Sequence, residues 1–210
     1  MANASGTKRK ATERWSLPAT QERSRATRAR LLEAAESVFA EKGYDGAKIS
    51  DIAERAGCSV GAVYFRFKDK SALFSAIAES FIEEGRNGHS VLRGTALFEP
   101  ERLARCFVSA TAANFKRHSG LFRAIVERGL DHPHAMKTIF GFREELAAAL
   151  EYALHGERET SLQIRVMTQM VYGFLIAGVL NKDAPTRIGD ARAISELADA
   201  CVAYLGKDAR

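Results

Sequence analysis

The chain has 210 residues, 46% hydrophobic and 27% charged, the balance of a soluble globular protein with enough apolar matter for a sizeable core. Its net charge of +5 is unevenly placed: residues 1–70 hold 14 Lys/Arg against 9 Asp/Glu, whereas residues 71–210 hold 17 of each. This asymmetry points to a polyanion partner for the first third and argues against a basic surface spread over the whole molecule. Three widely spaced cysteines, Cys58, Cys106 and Cys201, form no CxxC pair and fit a reducing, cytoplasmic setting, where they act as small apolar fillers. No apolar leader core is visible, and the apolar run Met170–Leu180 is shorter than the roughly 20 residues that span a bilayer.

In chain order, residues 1–23 are polar, basic and small, and are expected to be a flexible arm. From Arg25 a helical period begins, with Leu31, Ala34, Ala35, Val38 and Phe39 on one face and Gly43 as the stop. Ile49, Ile52 and Ala53 predict a brief second helix ending at Ala56-Gly57. Ser59 is the expected N-cap of a third short helix, and Ser71 that of a longer fourth one carrying Leu73, Phe74, Ile77, Phe81 and Ile82. Further helices are predicted near 99–117, 120–129, 133–155, 160–181 and 189–206, with breaks at 85–94, 119–120, 131–133, 155–156 and 181–185. No sustained strand alternation and no fixed-period repeat occurs, so the predicted fold class is all-α.

Two helices too short to stand alone, joined at Gly57-Cys58, make a helix-turn-helix, whose second helix enters a DNA major groove. The residues suit that use. Val60, Gly61 and Ala62 are small enough for close approach to base edges. Val63 and Phe67, four apart, face the core, and Tyr64 then points outward.

The segment "FAEKGYDGAKISDIAERAGCSVGAVYFRFKDKSALFSAI" resembles the DNA-binding domain of the TetR family of transcriptional repressors over about Arg25–Glu84. The shared features are Phe39-Ala40, Gly43-Tyr44, Asp51-Ile52-Ala53, Ala56-Gly57-Cys58-Ser59, Gly61-Ala62-Val63-Tyr64, Phe67 and Lys70. The resemblance implies a recognition helix at Ser59–Arg66, with Val60, Gly61, Ala62 and Phe65 placed for base edges. It puts Tyr64 and Lys70, and sometimes Arg66, at phosphates. Where the family carries Thr or Ser at the head of the second helix, this chain has Ala47 and Lys48. Either Lys48 replaces the hydroxyl contact with a charge-assisted one, or it is solvated and Ser50 caps the helix. Ser50 is also a candidate for direct readout.

The resemblance further implies three regions: an arm (1–23), a DNA-binding domain (24–70) and a ligand-binding and dimerisation domain (71–210). The implied protein is a homodimeric repressor of a palindromic operator, released by a small effector. Phe107, Phe115, Phe122, Phe140, Met167, Met170 and Phe174 are candidate lining for a lipophilic or aromatic effector, against the plainer reading that each fills the core. The helices near 160–181 and 189–206 are the candidate dimer face. Asp131, His132 and His134 admit a metal reading, but Pro133 makes an ordinary helix cap the favoured one, so neither a metal nor a cofactor is expected. No enzyme motif is present. The competing readings are a nonspecific or architectural DNA-binding protein and a transcriptional activator of the same fold.

Overall fold

The computed structural model describes residues 16–93, 99–128, 131–157, 159–181 and 189–206, and every regular element among them is helical. Helix α1 (Ser16–Gly46) carries Leu31, Leu32, Ala34, Ala35, Val38 and Phe39 into the core. It begins well before Arg25, so residues 16–23, expected in the flexible arm, are helical; Lys8, Arg9 and Lys10 of that arm lie outside the described residues. Its regular course breaks where expected, at Gly43, whose φ of 70° is a left-handed conformation that side chains with a Cβ seldom adopt.

The short helices α2 (Ile49–Arg55) and α3 (Val60–Tyr64) follow. They meet at Gly57, another left-handed glycine with φ 64°. Ile52, Ala53, Val63 and Phe67 bury one side of the pair. Arg55 pins α2 to α1 through both Glu41 carboxylate oxygens, at 2.5 and 2.7 Å, and through Ser37 Oγ at 2.6 Å. Lys42 Nζ reaches Asp51 at 2.7 Å.

Helix α4 (Lys70–Gly88) leads from this unit into the rest of the chain. Asp69, not Ser71, is its cap: the Asp69 carboxylate accepts the Ala72 N–H at 2.8 Å. Gly85, expected to open a break, lies buried inside α4. A Cβ there would come within 2.6 Å of the Phe142 ring and 2.8 Å of Asn114 Nδ2, so close packing explains this glycine. A 3-10 turn (Ser90–Arg93) follows. Helices α5 (Pro100–Arg117), α6 (Ser119–Arg128), α7 (Pro133–His155), α8 (Leu162–Leu180) and α9 (Ala191–Leu205) then match the predicted spans to within a few residues.

The core of this second part is aromatic. Phe115 and Phe122 stack at 3.9 Å, and Phe81 meets both edge-on. Helix α6 lies across α1 and ties the two parts together. Glu36 of α1 accepts the Leu121 N–H (3.1 Å) and pairs with His118 Nδ1 (2.8 Å). Arg123 donates to the Ala40 carbonyl at 2.7 Å, Glu127 accepts the Tyr44 N–H at 2.7 Å, and Arg128 pairs with Asp45 at 2.8 Å.

Candidate nucleic-acid interface

Helix α3 is held by its inner side and bare on its outer side. Ser59 caps it, its Oγ accepting the Ala62 N–H at 3.2 Å. Val63 is fully buried and Phe67 nearly so, which turns the remaining residues out. Val60 and Tyr64 are about half exposed, Gly61 is exposed, Ala62 is partly so, and Phe65 is 85% exposed. The Phe65 ring, just past the end of α3, therefore buries little of its area within the chain.

Arg66 is partly buried. Its Nη1 donates to the Ala62 carbonyl at 3.2 Å and its guanidinium lies 5.7 Å from the Phe65 ring centroid. It therefore braces α3 and supports Phe65 from one side. Lys70 is engaged within the chain. Its ammonium donates to the Tyr44 carbonyl at 2.6 Å and the Ala47 carbonyl at 3.1 Å, and sits 4.4 Å from the Tyr44 ring centroid. A cation with two backbone acceptors is committed to the loop between α1 and α2, so a phosphate competes with those carbonyls for it.

At the head of α2, Ala47 is buried while Lys48 and Ser50 are exposed. Asp51 reaches back to the Lys48 N–H at 3.4 Å, half of a capping box, so the cap does not depend on Ser50. Both side chains are exposed, as is Ser59.

The candidate effector residues differ in burial. Phe107, Phe115, Phe122 and Met167 are packed in the core, Phe174 is partly buried against it, and Phe140 and Met170 are half exposed. Arg143 lies over Phe140 at 5.6 Å. Their helical spacing marks them as apolar without saying which side of each helix faces inward. A cavity of about 540 Å³ opens elsewhere, between α1, α4 and the α5–α6 corner, and is lined by Arg28, Leu32, Glu36, Ile77, Glu84 and His118 among others. Its lining mixes charges of both signs. In the aromatic core, Tyr172 is 5% exposed and its hydroxyl has no partner; burial pushes this phenol well above its ordinary pKa. Among the described residues no three of His, Cys, Asp and Glu are grouped to hold a metal.

Known proteins share these features. The model of the family described as bacterial regulatory proteins, tetR family, matches residues 31–77. The HTH-type transcriptional regulator TtgR of Pseudomonas putida is 41% identical over 64 residues, 30% of each chain. The HTH-type transcriptional regulator AcrR of Shigella flexneri is 35% identical over 85 residues, 40% of this chain and 39% of its own. The matched segments thus span less than half the length of these curated relatives. A structure of a TetR-family regulator from Mesorhizobium loti superimposes with a TM-score of 0.68 over 88% of this chain and 97% of its own, at 22% identity, a likeness of fold. The helix-turn-helix segment, residues 31–77, is thus similar to the tetR family of bacterial regulatory proteins, and the helical fold as a whole is one found in solved structures.

Proposed function

We propose that the protein is a homodimeric, DNA-binding transcriptional repressor acting in the cytoplasm, with residues 24–70 as its DNA-binding domain and residues 71–210 as its effector-binding and dimerisation domain. The observation that carries the reading is the bare outer side of α3. Its small residues Val60, Gly61 and Ala62 give a low profile for a major groove, and the exposed Phe65 ring supplies a surface for thymine methyls. Tyr64 and Lys48 flank it as phosphate contacts, and Ser59 and Ser50 add hydroxyls on the same side. The expected pattern is few direct base contacts and a large share of readout from DNA shape.

One recognition helix makes too few contacts, so two copies on a palindrome are needed. Helix α8 supports the dimer. Ile164, Met167, Val171 and Leu175 bury one side, and Leu162, Met170 and Leu180 remain 77%, 40% and 41% exposed on the other, together with Gly173 and Ala177. An exposed apolar stripe of this kind on a helix is stable in water when a second surface covers it. The 19-residue α8 also reaches the length and mean hydropathy, 1.3, of a membrane span, longer than the Met170–Leu180 run alone; its packing against α5, α6 and α7 favours a bundle helix with a partner copy. Helix α9 offers less than expected: Leu197, Ala198 and Cys201 are already buried, and Arg105 of α5 holds Asp199 at 2.6 Å.

A small, largely apolar effector binds by opening the aromatic core around Phe115, Phe122 and Tyr172, whose lone hydroxyl offers it a hydrogen bond. Effector and operator then weaken each other's binding by linkage. Selection of duplexes from a random pool, followed by fluorescence anisotropy against scrambled DNA at fixed salt, tests the reading. A palindromic site bound at least a hundredfold more tightly supports it; equal affinities favour the nonspecific reading.

A further inference from the structure

The sequence Asp131-His132-Pro133-His134, set aside as a metal site, does other work. His132 is the N-cap residue of α7 and is only 8% exposed. Its ring lies 4.7 Å from the Tyr44 ring and 4.7 Å from the Phe74 ring, and its Nδ1 is 3.1 Å from Ser71 Oγ. Tyr44 belongs to the end of α1, just past the Gly43 break, and Phe74 and Ser71 to the first turns of α4. One imidazole from the larger domain is therefore wedged where the helix-turn-helix unit meets the helix that leaves it. The ring's Nε2 is buried and has no hydrogen-bond partner. Simple packing would be served better by an apolar ring, because the orphaned nitrogen weakens the contact.

We propose that His132 is the positioning residue through which the larger domain holds the helix-turn-helix unit in register, and that a proton on its imidazole releases that unit. The charged groups facing it decide the sign. From α4, Lys70 sits over the Tyr44 ring and Asp69 caps the helix; Asp131 adjoins on its own segment. Arg128 pairs with both Asp131, at 3.3 Å, and Asp45, at 2.8 Å, which blunts the attraction those carboxylates offer a cation. An imidazolium would become the second cation on Tyr44, beside Lys70. Burial, the largest influence, accordingly holds the His132 pKa below its ordinary value, against the smaller pull of Asp131. Above about pH 6.5, the ordinary value for histidine, the docked and released imidazoles are both neutral and the contact is at full strength. Below it, the released ring takes a proton that the docked ring resists, so the contact weakens as pH falls.

The test uses full-length protein, with the operator readout resting on the DNA-binding reading and the other readouts independent of it. Amide-exchange protection factors are measured at pH 7.5 and 5.5 for the wild type, His132→Phe and His132→Asn, and the wild-type His132 ring is titrated by NMR. Operator affinity is followed by anisotropy over the same pH range with a duplex selected at pH 7.5. In the wild type, protection around residues 44–48 and 131–139 is expected to fall several-fold at pH 5.5, and operator affinity by up to about tenfold per pH unit for each subunit. His132→Phe, which keeps a ring, and His132→Asn, which removes the titrating ring but keeps a polar N-cap residue, are both expected to flatten the two profiles. Unchanged wild-type protection, an imidazole titrating at or above its ordinary value, or an equal acid loss in both variants overturns the proposal. Failure to recover any preferred duplex overturns the DNA-binding reading instead, while protection and the NMR titration still decide the role of His132.

Discussion

Tyr64 and Phe65 are adjacent aromatics, the last residue and the C-cap of a five-residue helix, and the structure leaves both outside, at 53% and 85% exposure. Their chemistry differs. A phenol can donate to any phosphate, so Tyr64→Phe should weaken all sequences alike, by about 1 kcal/mol, or roughly fivefold. A phenyl ring touches only what the groove presents. Phe65→Ala should therefore relax preference at a single base step, by about 1–3 kcal/mol, without lowering nonspecific affinity. Anisotropy on a panel of single-base operator variants separates the two. Lys70 makes a different prediction. Because its ammonium already binds two backbone carbonyls, Lys70→Met should lower the thermal stability of the free protein, by about 2 kcal/mol, before any DNA is present. Thermal denaturation of the variant measures this; an unchanged midpoint would return Lys70 to the phosphates. The exposure of Phe65 was legible in the sequence, since Val63 and Phe67 claim the inner side by their spacing. The commitment of Lys70 was not, because its acceptors are carbonyls 23 and 26 residues away that only the folded loop brings near.

The elements show where close approach matters. At the start of α6, a Cβ on Gly120 would collide with the Glu36 carbonyl and come within 3.0 Å of the Ala40 nitrogen. Both are backbone atoms of α1 and cannot swing aside. Gly120→Ala should thus push α6 from α1, costing about 1–3 kcal/mol and disturbing the Glu36–Leu121 and Arg123–Ala40 bonds together. Chemical denaturation gives the loss; a change below about 0.5 kcal/mol would mean that the two helices can slide apart. In the sequence, Ser119-Gly120 reads as a break between helices, and Gly85 as another. Gly120 does sit at a helix start, but its glycine is required by a helix more than 80 positions earlier. Gly85 is required by Phe142 and Asn114, and no break exists there.

At the scale of the molecule, the unfinished surface is α8. Met170→Glu combined with Gly173→Glu places charge on its uncovered side, away from the buried Ile164, Met167 and Val171. Sedimentation velocity should show the wild type as a dimer at micromolar concentration and the double variant as a monomer. Operator affinity should fall at least a hundredfold with the loss of the second half-site. A wild-type monomer would remove the palindrome from the proposed mechanism. Because these positions face solvent in the single chain, far-UV circular dichroism should be unchanged.

By itself, the sequence determined an all-α chain, nearly every helix span and the helix-turn-helix with its outward residues. Those features rest on local spacing, capping and glycine placement, which act over a few residues. Only the tertiary structure decided that α1 starts before Arg25, that Arg66 and Lys70 are braced from within, and that the aromatics chosen for an effector pocket divide between the packed core and the surface. It alone brought His132 between Tyr44 and Phe74, and Glu36 to the head of α6. Each of these depends on which sides of distant helices meet, and hydrophobic period, being the same for every core-facing helix, carries no record of the partner.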